Sequence, residues 1–249
     1  MANFKTRIKQ TAKKKGKVIL ANDYNKFSTK LQSRTLKNIA TLHNYLCGIK
    51  FNFHVLLPLG IKEISKINHH AHRYGLQSIA DIKLNDITNT NKITVETLWK
   101  MGFDAVIVNP IMGKDSLKQL TKIAHEKNKG IITLCHMSAP EAKLSYEINL
   151  KHGKTTKQIH LYQLFLDWSI SQKVDGIIVG ATFPKIIKYC KKKINKKLDI
   201  YSPGIGFQGG NVKKVLTSGT DFLIVGRTIL NSKNPVKVAK QLQQLSFNE

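Results

Sequence analysis

Short runs of β-branched and aliphatic residues alternate with stretches of helical periodicity along almost the whole chain. The runs predict strands at Lys17–Asn22, Leu46–Lys50, Gln77–Lys83, Ala105–Asn109, Gly130–His136, Gly176–Gly180, Asp199–Pro203 and Phe222–Gly226. Between them, Leu117, Leu120, Ile123 and Ala124 recur at helical spacing, as do Leu161, Leu164, Phe165 and Trp168, and these predict core-facing helix stripes. Most strand-to-strand intervals are about thirty residues or a little less, the length of a strand with its crossover helix. The rhythm is that of an α/β protein with parallel strands, and 249 residues match one (β/α)8 TIM barrel forming a single domain over residues 1–249. Periodicity alone leaves open a doubly wound sheet. The interval after the fifth strand is longer, and its extra residues, around Ser138 to Lys157, predict an active-site lid.

Composition narrows the setting. Cys47, Cys135 and Cys190 are odd in number and widely spaced, which suggests neither a disulfide framework nor a zinc site and fits a reducing cytoplasm. The basic segment from Met1 to Lys17 lacks the apolar core of a secretion signal, and no apolar stretch approaches a membrane span. The formal charge of +26 would attract nucleic acid, an acidic surface or a small anion. The lysines are dispersed through the chain, with runs only at Lys13 to Lys15 and Lys191 to Lys193, and are not interleaved with aromatics as in single-strand binders, so nucleic acid is not an expected partner.

Chemistry concentrates in Ile79-Ala80-Asp81-Ile82-Lys83-Leu84-Asn85-Asp86. Asp81 and Lys83 are two apart, so on a strand their side chains share a face, which in a barrel is the interior. Lys50 ends the preceding strand and would stand beside them, so that with Asp86 two lysines and two aspartates form an array of alternating sign in which each charge favours the ionised form of the next. Buried charges left unpaired would be costly. A second cluster lies late in the chain. Pro203-Gly204-Ile205-Gly206-Phe207-Gln208-Gly209-Gly210 contains G-x-G-x-x-G, but it follows the seventh strand rather than opening a first βαβ unit, so it does not read as a dinucleotide turn. In a barrel the loops after strands seven and eight commonly bind phosphate, and Gly226-Arg227 adds a close-approach glycine and a guanidinium. His69, His70 and His72 meet no metal spacing and read as exposed histidines on a predicted outer helix. Cys135 and His136 are adjacent on a strand and should face opposite ways.

Asp81-x-Lys83-x-x-Asp86 followed by Ile87 and Thr90-Asn91 resembles the signature of the orotidine 5′-monophosphate decarboxylase family, and the likeness runs along nearly the whole chain. Leu20-Ala21-Asn22-Asp23 resembles the family's first strand end, with Asn22 where an aliphatic residue is usual; Thr88 stands where proline is common. The motif alone is shared with magnesium-dependent sugar-phosphate decarboxylases and aldolases of the same superfamily, whose second strand ends in a metal-binding glutamate. Here that position is Lys50, which cannot ligate a hard cation.

The resemblance implies conversion of orotidine 5′-monophosphate to uridine 5′-monophosphate and carbon dioxide in de novo pyrimidine synthesis, without metal or organic cofactor. It implies that Lys83 stabilises and protonates the carbanion at ring C6, that Asp81 faces the substrate carboxylate, and that Asp86 holds the lysines. Asp86 and Thr90 would enter the neighbouring subunit's site in a homodimer. Asp23 and Lys50 would contact ribose hydroxyls, Ser138 the pyrimidine, and Gln208 and Arg227, with Gly226, the phosphate, while the loop around Pro203 closes. The alternatives are a magnesium-dependent relative and a basic nucleic-acid-binding barrel without catalysis.

Overall fold

A computed structural model describes residues 2–24, 30–151, 158–206 and 208–247. Eight parallel strands close into a barrel: β1 (Val18–Ala21), β2 (Gly48–Asn52), β3 (Gln77–Leu84), β4 (Ala105–Val108), β5 (Gly130–His136), β8 (Gly176–Val179), β9 (Asp199–Pro203) and β10 (Phe222–Val225), with β10 pairing β1. Closure settles what periodicity left open. All eight predicted strands are present, and β2 continues two residues past Lys50 to Asn52. The strands are almost wholly buried because each packs side chains both into the barrel and under a helix.

The helices α2 (Leu31–Leu42), α3 (Phe53–Leu56), α4 (Ile61–Arg73), α5 (Thr88–Lys100), α6 (Lys114–Glu126), α8 (Leu161–Ser171), α9 (Pro184–Ile194), α10 (Val212–Thr217), α11 (Arg227–Leu230) and α12 (Pro235–Phe247) lie between or after the strands. The stripe on α6 is the predicted one, with Leu117, Leu120 and Ala124 buried. On α8 the buried face is Tyr162, Phe165, Leu166 and Ser169, rotated from the predicted stripe because this helix is apolar nearly all round and its sequence does not single out one face.

The basic N-terminal segment forms helix α1 (Phe4–Lys15) against the amino ends of the strands. A Cβ added at Gly130 would lie 2.2 Å from the Phe4 ring, so a glycine at the start of β5 is what admits that ring. Arg7 pairs with Asp104 at 3.0 Å and Lys9 with Asp199 at 2.8 Å. Asp104, Asp175 and Asp221, each just before a strand, accept from the backbone N–H of Ser78, Ile131 and Ile200 at 2.9 Å. This end is thereby sealed, and the carboxyl ends remain for a site.

The long interval after β5 holds a short helix, α7 (Ala142–Tyr146), and an antiparallel pair, β6 (Asn149–Lys151) with β7 (Gln158–His160). Residues 152–157, the far part of the expected lid, lie outside the described residues. Among the described residues, no helix is long and apolar enough to cross a membrane.

Candidate active site

A cavity of about 390 Å³ opens at the carboxyl ends of the strands, lined from all eight barrel strands and from the loops that follow β1, β2, β5, β9 and β10. At its base Lys50 Nζ lies 3.0 Å from Asp81 Oδ2 and 3.4 Å from Asp23 Oδ2, while Lys83 Nζ donates to Asp81 Oδ1 at 2.8 Å. Lys50 also donates to Asn52 Oδ1. The parallel register explains the grouping: Ala21 is level with Lys50, and Asn52 with Asp81, so three neighbouring strands end in one charged layer.

Burial alone would push Lys50 down, but the fields and hydrogen bonds of Asp81 and Asp23 outweigh it and hold its ammonium above the usual lysine value. Burial would likewise raise Asp81, and Lys50 and Lys83 outweigh that, holding its carboxyl below the usual carboxylate value. Lys83 is reached through a register shift between Asp81 and Leu84 and has φ of +47°, the left-handed region that a side chain with a Cβ seldom occupies. The bulge keeps both Asp81 and Lys83 on the cavity and lifts Lys83 to its partly exposed upper wall.

Asn22 is fully buried and satisfied. It donates to Thr35 Oγ1 at 2.9 Å and accepts from Asn38 Nδ2 at 3.0 Å, and the same Asn38 amide donates to the Tyr24 hydroxyl at 3.0 Å. Helix α2 thus holds the strand end on both sides of Asp23, with Arg34 stacked 4.4 Å from the centre of the Tyr24 ring. Asp23 Oδ1 is buried without a hydrogen-bond partner among the described residues.

The other wall is built from loops that approach closely. A Cβ on Gly204 (φ +94°) would lie 2.7 Å from Gln208 Oε1 and 2.9 Å from Ser138 Cβ, so that glycine lets Gln208 and Ser138 converge. Thr182 Oγ1 donates to the Ser138 carbonyl at 2.9 Å. Gly226 packs on Ala21, and Arg227, at the start of α11, lines the same cavity with Pro203 and Gln208.

The family model for the orotidine 5′-phosphate decarboxylase / HUMPS family matches residues 16–242. The chain belongs to this family. It is 32% identical over 211 residues to an orotidine 5′-phosphate decarboxylase of Pyrococcus abyssi, covering 85% of this chain and 92% of that protein. Among solved structures, it resembles orotidine 5′-monophosphate decarboxylase of Methanocaldococcus jannaschii complexed with the inhibitor BMP, with a TM-score of 0.77, 29% identity and coverage of 92% of this chain and 98% of that one. The Pyrococcus horikoshii enzyme gives a TM-score of 0.75 at 29% identity, covering 92% and 99%.

Of the residues that carried the family resemblance and its implied contacts, Asp23, Lys50, Asp81, Lys83, Ser138, Pro203, Gln208, Gly226 and Arg227 line one cavity. Asp86 and Thr90 do not. Within one chain the second aspartate of the alternating array is Asp23, not Asp86: the Asp86 carboxylate is exposed and accepts from the backbone N–H of Ile87 at 2.6 Å. Tyr24, Asn52, His54 and Met137 also line the cavity and were not singled out by sequence; each sits one to four residues past a strand-end residue that was, which is the signal that could have found them. His69 and His72 are exposed as expected, His72 with its Nε2 2.8 Å from Asp104 Oδ2, whereas His70 is half-buried. Cys135 and His136 do not alternate as expected. A register shift between Leu134 and His136 leaves Leu134 on the cavity and turns both following side chains toward Tyr162, where His136 packs among Tyr146, Tyr162 and Phe183.

Proposed function

We propose that this chain decarboxylates orotidine 5′-monophosphate to uridine 5′-monophosphate. The observation that carries the reading is the array itself: Lys83, braced by a buried carboxylate at 2.8 Å, faces a cavity whose far wall is made of glycine loops and an arginine. The spacing of features suits a ligand with a reacting ring at one end and an unreactive phosphate at the other.

In this mechanism the bond from ring C6 to the carboxylate breaks, its electron pair stays on C6, and carbon dioxide leaves. The lone pair lies in the ring plane, so the π system does not delocalise it and a fixed cation must stabilise it. Lys83 supplies that charge and then gives a proton from Nζ to C6, regaining one from solvent. Asp81 faces the departing carboxylate and keeps the two ammonium groups oriented. Asp23, whose Oδ1 is buried with no partner among the described residues, accepts from a ribose hydroxyl beside Lys50. Ser138 meets the pyrimidine, and Arg227 and Gln208 hold the phosphate against Gly226 as the loop around Pro203 closes.

A divalent cation does not fit this donor set. The cavity's carboxylates, Asp23 and Asp81, are both engaged by the Lys50 ammonium, and among the described residues no group of three His, Cys, Asp or Glu side chains could hold a metal. The magnesium-dependent reading therefore has no support from the site.

We assign the working unit as a homodimer, in which Asp86 and Thr90 complete the partner's cavity. Phe53, Leu57 and Ile61 after β2, Ile87 and Ile93 after β3, and Ile111 after β4 are all exposed on successive loops and helices around Asp86. Apolar groups concentrated in this way on one side of a barrel fit contact with a second copy. The deciding experiment follows ultraviolet loss of orotidine monophosphate with purified protein after exhaustive chelation. Turnover should persist; activity that vanishes and returns with magnesium would overturn the assignment.

A further inference from the structure

The last quarter of the chain is poor in acids, and the fold joins its lysines to those of α2. Residues 184–247 carry 13 Lys and Arg against two acids, Asp199 and Asp221. Asp199 is buried against Lys9, outside this segment, and Asp221 offsets one cation, pairing with Lys191 at 2.6 Å while it accepts from the Ile200 amide. Residues 61–171, by contrast, carry 15 cations and 10 acids. In the fold α10 contacts both α9 and α12, and α12 contacts α2, so these four helices form one continuous face. None contains an acidic residue. Arg34, Lys37, Lys185, Lys188, Lys192, Lys193, Lys213, Lys214, Lys237 and Lys240 all stand exposed on it. The four helices on the other part of the barrel, α4, α5, α6 and α8, each carry at least one acid: Glu63, Glu96, Asp115 with Glu126, and Asp167.

We infer that this face binds double-stranded nucleic acid through its phosphate backbone, without reading sequence. Four neighbouring helices about 10 Å apart span about 30 Å, close to one turn of duplex at about 34 Å. Lysines on a convex helical surface suit phosphate contacts that release counterions. Single strands are not favoured, because their binders stack bases on aromatic side chains, and the aromatics beneath these cations, Tyr189 under Lys193 and Tyr24 under Arg34, are half-buried. A membrane is not favoured either. Interfacial helices bury an apolar face, whereas α2, α9 and α10 expose no large apolar side chain and α12 exposes Phe247 at its last residue. The lysines of α9, α10 and α12 lie outside the cavity, whereas Arg34 and Lys37 on α2 border a pocket with Asp23; a test confined to α9, α10 and α12 is therefore independent of the proposed reaction.

The test is fluorescence anisotropy of a labelled duplex of about 20 base pairs in about 150 mM salt, with the whole protein. Two fourfold variants of equal charge change are compared. Lys188→Glu, Lys192→Glu, Lys213→Glu and Lys237→Glu alter the basic face; Lys66→Glu, Lys100→Glu, Lys118→Glu and Lys122→Glu alter the mixed one. Saturable binding by the native chain is expected, with log K falling against log salt at a slope of about −4.5 for about five phosphates. The first variant should bind at least about tenfold more weakly and the second within about twofold of the native chain. Both should keep the cavity's activity and a native circular dichroism spectrum; glutamine in place of glutamate serves if the first variant does not fold. Equal weakening by the two variants would overturn the inference, since net charge alone would then account for binding. It would equally be overturned by tighter binding to phosphatidylserine vesicles or to polyglutamate than to the duplex.

Discussion

Lys50 Nζ lies 3.0 Å from Asp81 Oδ2 at the level where β2 and β3 leave the barrel, and each group is held in its charged form largely by the other. Both side chains are almost wholly inside the protein, so the pair resists replacement one member at a time. Lys50→Met should destabilise the fold by about 3 kcal/mol, because Asp81 then keeps Lys83 as its one close cation. Adding Asp81→Asn should restore most of that stability while activity stays lost. Urea unfolding measures the first effect and the ultraviolet assay the second; a double variant no more stable than Lys50→Met would mean that the uncompensated charge is not the cause.

The same pair sets a pH window. The Asp81 carboxyl is held below its usual value of 3.8, so its contribution to stability is present above that value and is lost as pH falls through the lower folded value. The Lys50 ammonium is held above 10.5, so its contribution is present below that value and is lost as pH rises through the higher folded one. Between these limits neither group changes charge. A profile of kcat/KM against pH should therefore show no limb from this pair between about pH 5 and 9, and an acid limb that disappears in Asp81→Asn would contradict the assignment.

Arg227, at the start of α11, shares the cavity wall with Gln208. If it grips an unreactive phosphate, its binding energy organises the closed site and raises the chemical rate. Arg227→Ala should lose about a hundredfold or more in kcat/KM on the nucleotide and little on the phosphate-free nucleoside. Equal losses on the two substrates would show that Arg227 does not read phosphate.

Asp86 stands outside the cavity of its own chain, three residues beyond Lys83. Lys83→Ala and Asp86→Ala should each be nearly inactive alone. In a hybrid dimer one site takes both lesions and the other receives native Lys83 and native Asp86. Random re-pairing of equal amounts makes half the dimers hybrids, so about a quarter of native activity should return under twofold symmetry. No recovery after demonstrated subunit exchange would mean that Asp86 serves its own chain.

Asn22 carries a network where an apolar residue would pack without one. Asn22→Leu should cost about 1–3 kcal/mol, since Thr35 and Asn38 lose their partner inside the protein. Pairing it with Thr35→Val should recover part of that loss, as read from thermal melting. KM should remain raised in both variants, because the Asn38 hold on the strand end beside Asp23 is broken.

The sequence by itself determined the strands, their order and the charged residues at their ends. Hydrophobic runs and turn residues are local signals, and Asp81, Lys83 and Lys50 declared themselves because charges in an apolar strand are costly unless they are used. Boundaries were legible to within two residues, as β2 shows by continuing to Asn52. Tertiary structure decided what depends on contacts between distant segments. Closure of β10 onto β1, the pairing of Lys50 with Asp23 rather than Asp86, and the network that makes Asn22 acceptable all join residues whose neighbours in sequence do not reveal them. The bulges at Lys83 and His136 belong to the same class. Strict alternation predicted that Cys135 and His136 would part, and the inserted residue sent both the same way, because a bulge is fixed by the neighbouring strands' register and not by the local pattern. The acid-free face divides between the two: the excess of lysines in residues 184–247 is written in the sequence, but only packing sets α9, α10 and α12 side by side and brings α2, far earlier in the chain, against them, because helix neighbours around a closed barrel are fixed by strand order.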